Sequence, residues 1–354
     1  MAGIIPKQTI EEIRFRNDIV DVIGEYLTLK RAGGTFKALC PFHREKTPSF
    51  VVNPQRQIFH CFGCGKGGDV FAFIQETEGL EFTGAVEMLA RRAGVHIEFE
   101  RSDGMPSSER EVLYRMHEEI AAFFQRCLRR MRGAEAARRY LADRELGDEA
   151  IEAFTIGYAP NRWDAAIQWG RKNGYSVEQL EKAGLVVSKS NDGGRSRSYD
   201  RFRNRIMFPV HDGQNRVVAF SGRTLEADPK AAKYVNSPET PIFQKSRVLY
   251  GLARARRHIV SQKEREAIVC ERQIDVIRCH LAGFERAVAC QGTAFTEEHA
   301  RLLKRFADGV VIVFDPDRAG QDAAVKTAGL FMEAGLAVRV ASLPEGQDPD
   351  SYLQ

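Results

Sequence analysis

No stretch of this chain approaches the roughly 18 consecutive apolar residues that a membrane span needs, so no membrane association is expected. The first residues, Met1 to Glu12, carry charges early and hold no apolar stretch, and no secretory signal is expected there. Internal repeats and low-complexity tracts are lacking. A large charge of one sign is lacking too: the net charge is +4 over 354 residues, so composition argues weakly for a nucleic-acid partner and the placement of the charges matters more. Cysteine is sparse and uneven. Of seven, three lie between Cys40 and Cys64 at ligand-like spacing, and Cys127, Cys270, Cys279 and Cys290 stand alone. An odd, clustered set speaks against a disulfide framework and for a reducing cytoplasm with one metal site.

What is present describes a soluble globular chain of two or three domains, with 43% hydrophobic and 28% charged residues. Pro6 to Ile23 reads as a helix leading to a short strand at Tyr26 to Leu29. Gly33 to Phe73 holds short strands and turns, and Asp69 to Arg92 is helical. Arg101 to Ser108, with Gly104 and Pro106, is the expected linker. Glu109 to Leu141 reads as one long helix, because Leu113, Met116, Ile120, Phe124 and Cys127 recur at three- and four-residue steps. Strand-like runs follow at Arg205 to Val210 and Arg216 to Phe220. The last third alternates apolar strands (Ala267 to Cys270, Ala287 to Ala289, Gly309 to Phe314, Ala337 to Ala341) with helical segments at 274–282, 296–306 and 320–334. That alternation predicts a parallel sheet covered on both faces, with ligands at the carboxyl ends of its strands.

Cys40-Pro-Phe-His43 and Cys61-Phe-Gly-Cys64 are two ligand pairs, each separated by two residues, which suits one tetrahedral Cys₃His zinc site. All four positions are filled, so one structural Zn²⁺ is expected and not a water-activating one. His60 competes with His43, and turn geometry favours His43. Phe50 and Phe59 read either as a surface for single-stranded nucleic acid or as a small core around the metal. Between Arg195 and Arg205 stand five arginines with Tyr199 and Phe202 interleaved. On an extended strand Arg201, Arg203 and Arg205 would face one side as a cationic row along a phosphate backbone, although a charge run is also an ordinary solvated face.

Acidic residues follow the apolar strands: Glu271 with Asp275, Asp315-Pro-Asp317, and Asp348-Pro-Asp350. Carboxylates gathered at one sheet edge repel unless a divalent cation neutralises them, and oxygen ligands favour Mg²⁺ or Mn²⁺. Asp275 and Asp317 also read as helix N-caps.

Taken together, Cys40-Pro-Phe-His-Arg-Glu-Lys-Thr-Pro-Ser-Phe50 and Phe59-His-Cys-Phe-Gly-Cys-Gly-Lys-Gly-Gly-Asp69 resemble the zinc-binding domain of bacterial replicative DNA primases. Arg201-Phe-Arg-Asn-Arg-Ile-Met-Phe-Pro209 and Lys233-Tyr-Val-Asn-Ser-Pro-Glu-Thr240 are similar to blocks of the primase core, and Asp315-Pro-Asp-Arg-Ala-Gly-Gln-Asp322 to its Toprim domain. The resemblance covers nearly the whole chain. It implies an α+β and α/β multidomain protein: a zinc ribbon-like module at 1–102, a mixed α+β basic subdomain at 109–245 and a Toprim-type parallel α/β sheet at 246–354. It further implies Glu271, Asp315 and Asp317 as catalytic and Mg²⁺-binding residues, with Asp275, Asp348 and Asp350 as weaker ligands. Arg203, Arg205, Lys233, Asn236 and Lys245 then bind template or nucleotide. The implied activity is RNA primer synthesis from NTPs on a single-stranded DNA template, in the cytoplasm at the replication fork, with the replicative helicase as the family's partner. A truncated or impaired primase-like single-stranded DNA-binding protein and, behind it, a Toprim nuclease are the alternatives. Two departures stand out. The family carries glycine after the catalytic glutamate, where this chain has Arg272, which either disturbs metal geometry or contacts a triphosphate. The helical end of the family's core and its helicase-docking domain are expected to be absent after Gln354.

Overall fold

The computed structural model describes residues 5, 7–97, 107–190, 196–226, 232–344 and 346–354. The expected linker, up to residue 106, and Arg195 lie outside these residues. Two compact units form, one from residues 1–107 with 256–265, the other from 108–255 with 266–354.

In the first unit the expected opening helix is two, Lys7–Arg16 and Ile19–Gly24. Asp18 splits them, its carboxylate accepting the Val20 N–H at 2.8 Å, while buried Asn17 donates to the carbonyls of Ile13 and Leu89. No strand forms at 26–29, because the N–H groups of Tyr26 and Leu27 turn back to the Ile23 carbonyl. The antiparallel sheet instead starts at β1 (Lys30–Ala32) and continues in order through β2 (Thr35–Ala38), β3 (Phe50–Asn53), β4 (Ile58–Cys61) and β5 (Gly67–Gly68). The helical stretch after it breaks at Gly79 (φ +61°) into Val70–Glu78 and Phe82–Ala93. A left-handed C-cap of this kind is where glycine avoids the Cβ penalty.

The second unit opens with the helix Ser107–Arg130, which stops earlier than its periodicity predicts. Met131 turns extended (ψ 135°), and a short 3₁₀ turn leads to a separate helix, Glu135–Asp143. Strands β6 (Gly157–Ala159), β7 (Val186–Ser190), β8 (Ser196–Asp200), β9 (Arg205–His211), β10 (Val217–Thr224) and β11 (Tyr234–Asn236) follow. Four of them make an antiparallel sheet in the order β11-β10-β9-β6, and β7 pairs with β8. Strands β9 and β10 are buried on both faces, which is why their apolar runs do not alternate. Beyond them lie β12 (Glu266–Cys270), β13 (Ala287–Ala289), β14 (Gly309–Val313) and β15 (Ala337–Val340), all parallel, in the order β13-β12-β14-β15.

One apolar core joins the two sheets of this unit: Phe208 and Val218 belong to the same cluster as Tyr250, Cys270 and Ala289. Burying a side chain such as Phe208 contributes about 2–3 kcal/mol. Tyr250 and Ala289 also exchange backbone hydrogen bonds of 2.8 and 3.1 Å. The sheets are therefore fixed against each other, and residues on one keep a set distance from residues on the other. No helix among the described residues is long and apolar enough to cross a membrane.

Candidate metal centres and nucleic-acid interface

In the first unit the ligand atoms of Cys40, His43, Cys61 and Cys64 all lie within 4.8 Å of one another. Cys40 Sγ is 3.8 Å from Cys64 Sγ, and Cys61 Sγ is 3.7 Å from His43 Nδ1. A tetrahedron with zinc–sulfur bonds of about 2.3 Å has edges of about 3.8 Å, close to these two separations, so the quartet suits Zn²⁺. His60 is outside it. Cys61 and Phe59 face inward on β4 and His60 faces out, as strand alternation requires. Its ring lies edge-on to exposed Phe62 at 4.7 Å.

Gly63 is required by close approach: a Cβ there would sit 2.5 Å from His43 Nε2. Glu45, which sequence reasoning missed, organises the site. It accepts the N–H groups of Cys40 (2.8 Å) and Ser49 (2.9 Å), and its other oxygen lies 3.4 Å from His43 Nε2, leaving Nδ1 for the metal. Burial pushes the Cys40 thiol up to about 12. Burial also raises Cys61, but the Ser49 hydroxyl and the N–H groups of Cys64 and Gly63 outweigh it and bring that thiol down to about 6. Phe50 and Phe59 are buried and stacked at 5.2 Å, so the core reading holds for both. Phe62, 74% exposed, is the surface aromatic.

In the second unit β12 and β14 are neighbours in register, Cys270 opposite Val313. Glu271 and Asp315, just beyond their ends, are therefore adjacent, and Glu271 Oε1 accepts the Asp315 N–H at 3.2 Å. Partial burial, then the charge of Asp315, raises the Glu271 carboxyl above its ordinary value. Asp315 Oδ1 is buried with no hydrogen-bond partner, an open ligand position. Asp317 is exposed and caps the helix Arg318–Glu333 through the Gly320 N–H at 2.7 Å. Asp275 is also a cap, accepting the Arg272 N–H at 3.1 Å, and burial followed by Asp348 and Asp315 lifts it to about 7 against the pull of Arg272. Asp348 caps the short helix Pro349–Tyr352 through Ser351. Asp350 is placed differently from the others: fully buried, it pairs with Arg278 Nε at 3.0 Å and with Arg144. Its oxygens are committed to arginines.

Arg272 occupies the middle of this group. Its guanidinium pairs with Asp315 and lies 3.5 Å from Asp348. The expected backbone conflict does not arise, because Arg272 has φ −126° and ψ 157°, extended geometry open to any residue. A cleft of about 880 Å³ opens beside the acids, lined by Tyr140, Arg144, Asp315, Asp317 and Asp348 among others.

The expected cationic row is not a strand face. Residues 201–204 bend before β9, with Asn204 at φ +50°, so two-residue alternation does not apply. Arg203 instead lies 3.2 Å above the ring of Trp163 and 5.8 Å from that of Tyr199. Trp163 is 59% exposed. Arg205 turns inward to the carbonyls of Gly222 and Ala232. Lys233 is exposed on the approach to the acids; burial of part of its stem, then Arg223, Arg272 and Arg144, lower its amine. Asn236 rests on the loop after β13, where a Cβ on Gly292 (φ +67°) would meet its amide nitrogen at 1.9 Å. Lys245 opens a 3₁₀ turn held by His299, whose Nε2 is 2.7 Å from the Lys245 carbonyl. Trp163, Arg144 and Arg278 escaped sequence reasoning, since none sits in a spaced motif; Trp163 carried one usable signal, being one of two tryptophans.

Comparison with known proteins matches three family models: "CHC2 zinc finger" over residues 5–104, "DNA primase catalytic core, N-terminal domain" over 123–256 and "Toprim-like" over 268–353. The DNA primase of Halalkalibacterium halodurans is 46% identical over 351 residues, covering 99% of this chain and 57% of that protein. That of Geobacillus stearothermophilus is also 46% identical, covering the whole chain and 59% of the relative. The chain thus spans under two thirds of the length of these curated relatives. Among solved structures, the zinc-binding and RNA polymerase domains of Aquifex aeolicus primase match with a TM-score of 0.63 and 35% identity, over 98% of this chain and 81% of that one. The DnaG primase catalytic domain bound to single-stranded DNA matches at 0.60 and 39%, over 69% and 74%.

Proposed function

The chain belongs to the DnaG-type family of bacterial DNA primases, and from that premise we propose that it synthesises short RNA primers on single-stranded DNA from NTPs. The observation that carries the reading is that a cationic aromatic platform and a carboxylate cluster belong to one unit. The Arg203–Trp163 platform stands beside β6 and β9 and the acids stand at the ends of β12 and β14, strands whose residues Tyr158, Ile206, Ile268 and Cys270 share one core. Roles fall to three stretches: 1–102 holds template through the zinc module, 109–245 binds template and nucleotide, and 246–354 carries the chemistry. Recruitment to the replication fork by the replicative helicase belongs to the same proposal.

Asp315 and Asp317, with Glu271, would hold a divalent ion, which supplies charge neutralisation at the triphosphate and activation of the attacking 3′-hydroxyl. The open Asp315 Oδ1 fits that role. Glu271, with its raised carboxyl and its hydrogen bond to Asp315, is suited to moving a proton at the reacting oxygen. Lys233 and Lys245 offer cations for the phosphates. Trp163 and Arg203 offer stacking and a charge for the template.

The test is primer synthesis on a single-stranded template with NTPs and Mg²⁺ or Mn²⁺. Wild type makes labelled oligoribonucleotides, and Asp315→Ala makes fewer by about 10²-fold or more. Equal product from both removes the site assignment. One observation, Arg272 lying on Asp315, favours a second reading as a DNA-binding protein without catalysis. DNA binding with no product from wild type would select it, and strand cleavage would select a nuclease.

A further inference from the structure

We propose that the Arg272 guanidinium is a tethered counter-ion of the acid site, competing with divalent metal for Asp315 and Asp348, so that metal loads only when Arg272 leaves them. This rests on the metal-binding reading of the acids.

The two carboxylates it touches come from different elements, the loop after β14 and the cap of the helix Pro349–Tyr352, and Arg272 bridges them. Asp315 is thereby divided, with one oxygen on the guanidinium and the other buried and unpaired. Among the described residues, three or more ligand atoms converge at the zinc quartet and no such group forms from these acids. They are arranged around a monovalent cation that is already present.

The backbone of Arg272 is pinned by its N–H bond to Asp275, so exchange needs movement of the side chain alone. The side chain is 33% exposed, so its guanidinium has a path off Asp315 toward solvent. Once off Asp315, the guanidinium has five donors to place in the adjoining cleft, and its planar fork matches phosphate oxygens. A triphosphate that engages Arg272 thus frees Asp315, and metal and nucleotide bind cooperatively.

The experiment is Mn²⁺ titration of the zinc-loaded chain without nucleotide, followed by the electron paramagnetic resonance of free Mn²⁺. Two neutral variants of different size, Arg272→Gln and Arg272→Ala, are expected to bind Mn²⁺ roughly tenfold tighter than wild type, and Arg272→Lys to stay near it. Adding a non-hydrolysable NTP analogue should tighten wild type more than Arg272→Gln. Unchanged or weaker Mn²⁺ binding by both neutral variants, while Asp315→Asn has lost the site, overturns the competition. Wild-type affinity in Asp315→Asn removes the metal reading itself, a different result.

Discussion

Four ligand atoms at the zinc site lie within one tetrahedron's reach, held by a sheet, a glycine-lined turn and Glu45. The six carboxylates of the acid site each have a protein partner before any ion arrives, with one Asp315 oxygen left open: Glu271 a backbone N–H, Asp275, Asp317 and Asp348 helix caps, Asp315 the Arg272 guanidinium, Asp350 the guanidinium groups of Arg278 and Arg144. The first arrangement suits a metal that is part of the fold. The second suits a metal that comes and goes, on a frame that stands without it.

Removing zinc is the severest way to break this comparison. Structural zinc binding in small modules is worth about 10–16 kcal/mol, so a chelator or Cys61→Ser should abolish hydrogen-exchange protection at β2, β3 and β4 of the first unit. Protection at β12 and β14 should persist, as it should when divalent ions are withheld. Survival of the first unit without zinc would make the two sites alike. A smaller effect is expected at Asp350. If it is architecture and not a ligand, Asp350→Ala strands buried Arg278 and costs about 3 kcal/mol in denaturant unfolding, with Mn²⁺ affinity unchanged.

The smallest effect is a proton dependence carried by two histidines of the second unit. Burial holds His117 and His211 neutral, with pKa values down to about 4. Unfolded histidine titrates near 6.5, so between those values the unfolded chain binds more protons. The contribution of these two histidines is full above about pH 6.5 and is lost as pH falls toward 4, opposite in sign to that of the raised Asp275 carboxyl. His117→Phe, which keeps the ring stacked on Phe220, should reduce the loss between pH 7 and pH 5 by about 1–2 kcal/mol.

How far the sequence revealed these features follows from the range of the interactions involved. The zinc pairs and the parallel strands are local patterns, and the acids were legible because they stand just past apolar strands. Partners set by tertiary packing were not: Arg278 and Arg144 reach Asp350 across 72 and 206 residues. The cationic row failed for a local reason, the left-handed Asn204 that ends alternation before β9. The helical periodicity runs on past Met131 because the following helix, Glu135–Asp143, continues a similar apolar spacing after the turn.

The contact between Asn236 and Gly292 bears on how such a protein can be rebuilt. One lies on the antiparallel sheet and the other in a loop of the parallel sheet, yet a side chain at Gly292 fits only if Asn236 moves. A chimera that takes residues 109–245 from one relative and 246–354 from another must match this pair, whatever else it conserves. Substitution at Gly292 alone would displace the Asn236 amide, one of the groups proposed above to face template or nucleotide.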